Sequence, residues 1–369
     1  MRKIQVLVYV SLMTPALLPG QSPPPATSIE LKAGEKIPVA NRFISTAIGG
    51  IQCDKNGNVY MRPTGGNAPA DAAPVLRIAP DGKDSLLYDL SGFSELKEVK
   101  NIAALDVAVN AKGNLYQLLV VTDKEGKIFP GIAAFDSDGH PSSFVRVDAH
   151  LPTDAHFSPR QIAVFSSGQF LVSGTRFVDA AKGLNGDEAE AKRQRTPFTA
   201  IFDVRGGLVQ EIQLPGDVKF DATEKPDYNT PLTLPSLAID LSRVVSADDG
   251  NVYLFRQGMQ PKVYVISPAG ETLRVLSFSP SSGSDREANS TLISVSARRL
   301  VFDDFQPGPP GDPRMQLTLH VYDAQAGEKL WDFIPSKDLF GIPACYSGKD
   351  FTFLTTTADH HLALLHARP

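Results

Sequence analysis

One hairpin is written into this chain several times over. CDKNGNVYM (53–61), VNAKGNLYQL (109–118) and SADDGNVYLF (246–255) each set a polar knot ending in Gly-Asn before a Val/Leu-Tyr strand. The glycine permits the positive φ that a tight turn needs. The branched and aromatic residues after it suit a pleated, half-buried strand. A chain that repeats one hairpin is building an array rather than a single sandwich.

Two kinds of hairpin alternate. The first kind covers 50–63, 104–121, 161–175 and 237–256, with weaker copies at 293–305 and 344–357. The second kind covers 75–90, 132–147, 199–214, 263–278 and 319–334, and is marked by Asp/Pro/Gly turns such as FDSDG and SPAGE. An Asp side chain can bond its own turn backbone, so these signals have a cause. Two hairpins in series give a four-stranded antiparallel sheet with two faces to bury. Stacking such sheets around an axis buries both. No long helical periodicity runs through the chain, which excludes an α/β fold. Six first halves stand against five second halves, so the last unit lacks a strand. SIELKAGEKIPV (28–39) has no partner of its own and can supply it. The expectation is an all-β fold: a six-bladed β-propeller with four-stranded antiparallel blades, its ring closed by pairing of the N-terminal strand with the last blade.

The segments GIQCDKNGNVYM, LDVAVNAKGNLYQL and AAFDSDG resemble those of NHL-repeat and related six-bladed propellers of the exported bacterial type. The resemblance covers most of the chain after its N-terminal run. It implies the architecture and leaves the activity open, because such folds host many.

The 369 residues are 42% hydrophobic and 21% charged, with a net charge of −5, as in a folded soluble protein. The absence of a basic excess argues against nucleic acid and anionic membranes as partners. Arg2 and Lys3 precede a short, interrupted apolar run, which reads as an export signal over 1–22. A Pro-rich linker follows at 23–27, then one propeller domain at 28–369. The expected location is periplasmic or extracellular, with no membrane span in the mature chain and a monomeric state. The two cysteines, Cys53 and Cys345, fall near the two ends of the chain. They fit either a ring-closing disulfide in an oxidising compartment or two separate buried thiols.

Antiparallel alternation puts the short Gly turns on one face of the disc. The second-to-third and inter-unit joins fall on the other, and these are long, as at 63–74, 178–197, 279–291 and 306–314. Long loops on a rigid scaffold are where binding concentrates. Two constellations lie towards that face. One is VDAHLPTDAHF, with Asp148, His150, Asp154 and His156, to which His360 and His361 are a second candidate pair; neutral imidazole with carboxylate suits zinc-like ions. The other is axial, at the entry to the first strands: Gly49, Gly50, Ala104, Asp106, Arg160, Gln161, Ser236 and Ser294, where Asp106, Arg160 and Gln161 could meet a polar ligand. Propellers of the gluconolactonase type hold a divalent cation with an axial carboxylate and amide set. That set and its Glu entry motif are not found in this sequence, nor is a Gly-x-Ser-x-Gly elbow, a P-loop or a haem attachment motif. The expectation is therefore a non-catalytic binding or scaffold propeller that holds a protein, peptide or glycan partner and needs no cofactor. The alternative is a metal-dependent, lactonase-like hydrolase using a divalent cation.

Overall fold

A computed structural model describes residues 27–40, 47–64, 74–147, 155–178, 194–220, 235–258, 260–278, 289–296, 298–307, 315–348 and 350–369. The proposed signal over 1–22 lies outside them, as do Asp148, His150 and Asp154. The described chain is almost entirely β.

Four sheets have four antiparallel strands each, in chain order. The first holds β2 (Ala47–Cys53), β3 (Val59–Thr64), β4 (Val75–Ile78) and β5 (Ser85–Tyr88). The second holds β6 (Asn101–Val109), β7 (Leu115–Thr122), β8 (Ile128–Phe135) and β9 (Pro141–Arg146). The third holds β10 (Ala155–Val164), β11 (Phe170–Val178), β12 (Gln194–Phe202) and β13 (Leu208–Glu211). The fourth holds β14 (Arg243–Ser246), β15 (Val252–Arg256), β16 (Lys262–Ile266) and β17 (Thr272–Ser277).

The rest of the fold departs from the expected six separate sheets. β18 (Asn289–Val295), β19 (Arg299–Pro307), β20 (Met315–Asp323) and β21 (Lys329–Pro335) join β22 (Ile342–Ser347), β23 (Asp350–Thr356) and β24 (Leu362–Arg368) in one eight-stranded sheet. The cause is β1 (Thr27–Pro38), which bonds on both edges. Its second half runs antiparallel to β24, as expected, from Lys32 against Arg368 to Pro38 against Ala363. Its first half runs parallel to β21, from Thr27 against Trp331 to Leu31 against Pro335. One strand thus satisfies two edges that would otherwise be open.

The turns form for the reasons their residues suggest. Asp54 Oδ1 accepts from Asn56 N and Asn58 N at 2.9 and 3.0 Å, while Gly57 sits at φ 80°. Asn110 does the same for Lys112 N and Asn114 N, and Asp203 for Arg205 N and Gly207 N. The tyrosine that follows closes the motif: Tyr60 and Tyr253 donate to Asp54 and Asp249 at 3.2 and 2.9 Å. These two knots are therefore tied to core aromatics.

The first strands touch in order around a ring: β2, β6, β10, β14, β18, β22 and back to β2. Between successive sheets lie apolar clusters. Tyr60 and Tyr88 meet Phe93 and Phe135 across the first seam. Phe255 and Phe278 meet Phe302 and Tyr322 across the fourth. The two halves of the large sheet face each other over Leu31, Phe333, Phe351 and Leu365. Two details differ from the sequence reading. The segment before β14 is a helix, α1 (Pro235–Asp240), so Ser236 does not enter a strand. The β7–β8 and β23–β24 joins are short turns, Asp123–Lys127 and Thr357–His361, so not every join on the loop face is long.

Candidate axial site

Five of the six first strands carry one extra residue at a corresponding place. The register slips between Gly49 and Gln52 in β2, Ala104 and Asp106 in β6, and Pro159 and Gln161 in β10. It slips again between Leu292 and Ser294 in β18, and between Pro343 and Cys345 in β22. A bulge re-aims the side chain that follows it. Gly50, at φ 58°, supplies the unusual backbone in β2. Gly174, opposite the β10 bulge, is required by space, because a Cβ there would stand 2.2 Å from Ser158 O.

The re-aimed side chains reach the next sheet. Asp106 is buried, and its Oδ2 accepts from Ile162 N on β10 at 3.0 Å. Gln161 is buried, and its Nε2 donates to Ile239 O in α1, just ahead of β14, at 2.8 Å. Cys345 is joined to Cys53 of β2 by a disulfide with a Cα–Cα distance of 5.5 Å, the first of the two cysteine readings. Three seams are thus clasped from one structural position, by a carboxylate, an amide and a covalent bond.

Two arginines reach further. Arg62 on β3 donates from Nη1 to Ala104 O on β6. Arg243 on β14 donates from Nη2 to Ile51 O on β2, three steps away around the ring. Its side chain therefore crosses the axis. Burial pushes the Asp106 carboxyl up from its ordinary range against the pull of Arg243, two backbone N–H groups and Arg62. Asp303 on β19 is also buried and accepts from Thr291 N at 2.8 Å; burial is the main reason its carboxyl is pushed up to about 7. Desolvation lowers Arg62 from its usual value.

The Asp303 shift sets the sign of a pH dependence. Between the unfolded value of 3.8 and a folded value of about 7, the native state holds a proton that the unfolded chain has released. The resulting stabilisation is full below that window and fades as pH rises through it, by roughly 4 kcal/mol at most. Asp203 and Asp323, held low by turn N–H groups, act oppositely and lower down, losing their contribution as pH falls through their folded values. Urea midpoints are expected to fall between pH 4.5 and 7.5 in the natural protein and to change less in Asp303→Asn. Equal slopes would refute this.

Of the candidate residues, the structure brings Asp106 and Gln161 to neighbouring seams but takes Arg160 away. Arg160 is the extra residue of its bulge and pairs with Asp240 at 2.8 Å, both side chains more than 40% exposed. The cation beside Asp106 is Arg243, with Arg62, rather than Arg160. His156 is exposed at the start of β10 and stacks on Phe177, ring centres 5.3 Å apart. His360, at φ 63°, and His361 lie exposed in the β23–β24 turn. β10 and β22 are three steps apart around the ring, so these histidines do not share a site. Among the described residues no three His, Cys, Asp or Glu side chains are grouped to hold a metal.

Arg62, Arg243, Gln52 and Asp303 were not legible as site residues. The available signal was a charge inside an apolar run, as in VYMRP, SRVVS and LVFDDF, which implies a buried partner without naming it. The same signal marks a second network. His320 faces Asp332 at 2.6 Å and Asp304 at 3.3 Å across β19, β20 and β21, with Gln306 and Lys329 around them. It ties together the sheet on which β1 is seated.

No family model matches this chain, and no curated protein matches it. Solved structures similar to it include a protein of unknown function from Bacteroides caccae, 12% identical over 80% of this chain and 83% of that one, with a TM-score of 0.43. A luciferin-regenerating enzyme is 9% identical over 91% and 95%, with a TM-score of 0.46. The β-propeller domain of the Trilobed protease from Pyrococcus furiosus is 7% identical over 73% and 68%, with a TM-score of 0.37. The sheets themselves establish what this chain is: an all-β protein with a propeller-like arrangement of four-stranded antiparallel sheets.

Proposed function

We propose that this chain is an exported, non-catalytic binding or scaffold propeller. On this reading the eight-stranded sheet counts as two blades sharing β1, which gives six blades of the NHL-like kind. The partner is a protein, peptide or glycan held on the loop face. One observation carries the choice of face. Five of the nine large apolar residues exposed among the described ones, Ile128, Leu241, Ile334, Phe340 and Ile342, stand at or near strand ends on that side, while Val204, Val209, Leu273 and Val275 lie on the third and fourth sheets' outer strands and turn; Phe340 is 83% exposed. Exposed apolar groups on a rigid scaffold favour contact with a partner, and the most exposed of them, Phe340, is on this face. The axis is occupied by bonds between sheets, which favours the face over the channel. The disulfide suits an oxidising compartment, in keeping with export.

Substitution Phe340→Asp is expected to leave the melting temperature within a degree or two, as at other open surface positions. It is expected to abolish the peptide or glycan signals that the natural protein gives on an array. Unchanged signals would overturn the assignment of the face.

A further inference from the structure

The axial cluster has a feature that its role in joining sheets does not use. Nε of Arg62, Nε of Arg243 and Nε2 of Gln52 are shut off from the surface and have no acceptor among the described residues. Gln52 as a whole is 7% exposed. A buried donor that nothing accepts costs the fold the full desolvation of that group. Three such donors in one neighbourhood call for an acceptor.

They belong to one neighbourhood because both guanidinium groups come to the same four-residue bulge. Arg62 lies over Gly49, its Nη2 3.7 Å from where a Cβ would stand, and Arg243 bonds Ile51 O, next to Gln52. The absence of a side chain at Gly49 and Gly50 leaves room for the first arginine. The nearby carboxylates do not meet the need. Asp106 accepts from Ile162 N and Asp303 from Thr291 N, on other strands. Asp106 acts electrostatically on both arginines and Asp303 on Arg243, yet neither accepts from their Nε groups. A planar group with two oxygens is the natural complement of guanidinium N–H donors.

We propose that the bulge of β2, between Arg62, Arg243 and Gln52, binds a small carboxylate anion. This site is separate from the loop face and goes beyond the binding role assigned to it. The anion is either a free acid or the terminal carboxylate of a peptide, and it would complete the bonding between the first, second and fourth sheets.

The test titrates the full chain with sodium acetate, using acetamide as the neutral isostere at the same concentrations, and follows binding by calorimetry and the unfolding midpoint. A saturable response to acetate and none to acetamide is expected. Arg243→Gln is expected to weaken binding at least tenfold, the loss of one charge-assisted contact. Gln52→Leu removes a donor without removing the Arg243 crossing and serves the same purpose if Arg243→Gln does not fold. N-acetylglycine binding more tightly than acetate would identify a peptide terminus as the source, and the reverse a free acid. Identical responses to acetate and acetamide would mean that water alone meets these donors and would overturn the proposal. So would natural affinity in both variants.

Discussion

A chain lacking residues 27–38 is expected to aggregate, because β1 closes two edges at once. Its removal strips β24 of an antiparallel partner from Arg368 to Ala363 and β21 of a parallel partner from Trp331 to Pro335. Both become templates for pairing with another chain. The core suffers with the edges. Leu31 is fully buried among Phe333, Phe351, Phe353 and Leu365, and Ile29 packs beside it. The point substitution Leu31→Ala isolates the packing part and is expected to destabilise by about 3 kcal/mol while leaving the strand bonded. Size-exclusion chromatography and a thermal melt of both variants distinguish the two contributions. A truncated chain that stays monodisperse and melts as the natural protein does would show that β1 is dispensable.

The half of β1 that was legible in the sequence is the half that pairs with β24. Counting hairpin halves leaves the last unit one strand short, and an antiparallel vacancy next to a chain end has an evident candidate. The parallel pairing with β21 has no such sign. A parallel register carries no turn, and the residues involved, Thr27 to Leu31, look the same whether one edge or two is bonded. That is why six separate sheets were expected and five are found. The turns were readable because Asp54, Asn110 and Asp203 act within their own five-residue knots. The axis was only half readable, because its groups act between knots. Asp106 and Gln161 stood out as polar residues in apolar first strands, yet their partners are backbone groups some 56 and 78 residues away, Ile162 N and Ile239 O. Arg160 misled for a related reason. A bulge consumes one residue, so the alternation that would have aimed Arg160 inward aims Gln161 instead.

Among these clasps the one between Cys345 and Cys53 differs in strength, and its loss is expected to have the other large effect. The bond closes a loop of 292 residues in sequence separation. In the chain-entropy description, a cross-link that long restricts the unfolded ensemble enough to stabilise the fold by about 5 kcal/mol. A propeller needs this more than most folds do, because its first and last sheets must find each other from opposite ends of the chain. Cys53→Ser with Cys345→Ser is therefore expected to lower the unfolding midpoint sharply, and reduction of the natural protein is expected to do the same. The comparison with β1 is informative. Both features close the ring, at the axis and at the rim, so they share one event. Deleting β1 from the chain without cysteines should not cost the sum of the two separate losses, since a ring opened at one place gains less from being held at the other. Urea unfolding of the four chains measures that coupling. Strict additivity would show that the disulfide and the strand stabilise separate parts of the fold, and a cysteine-free chain with an unchanged midpoint would show that the clasp at this seam is carried by packing alone.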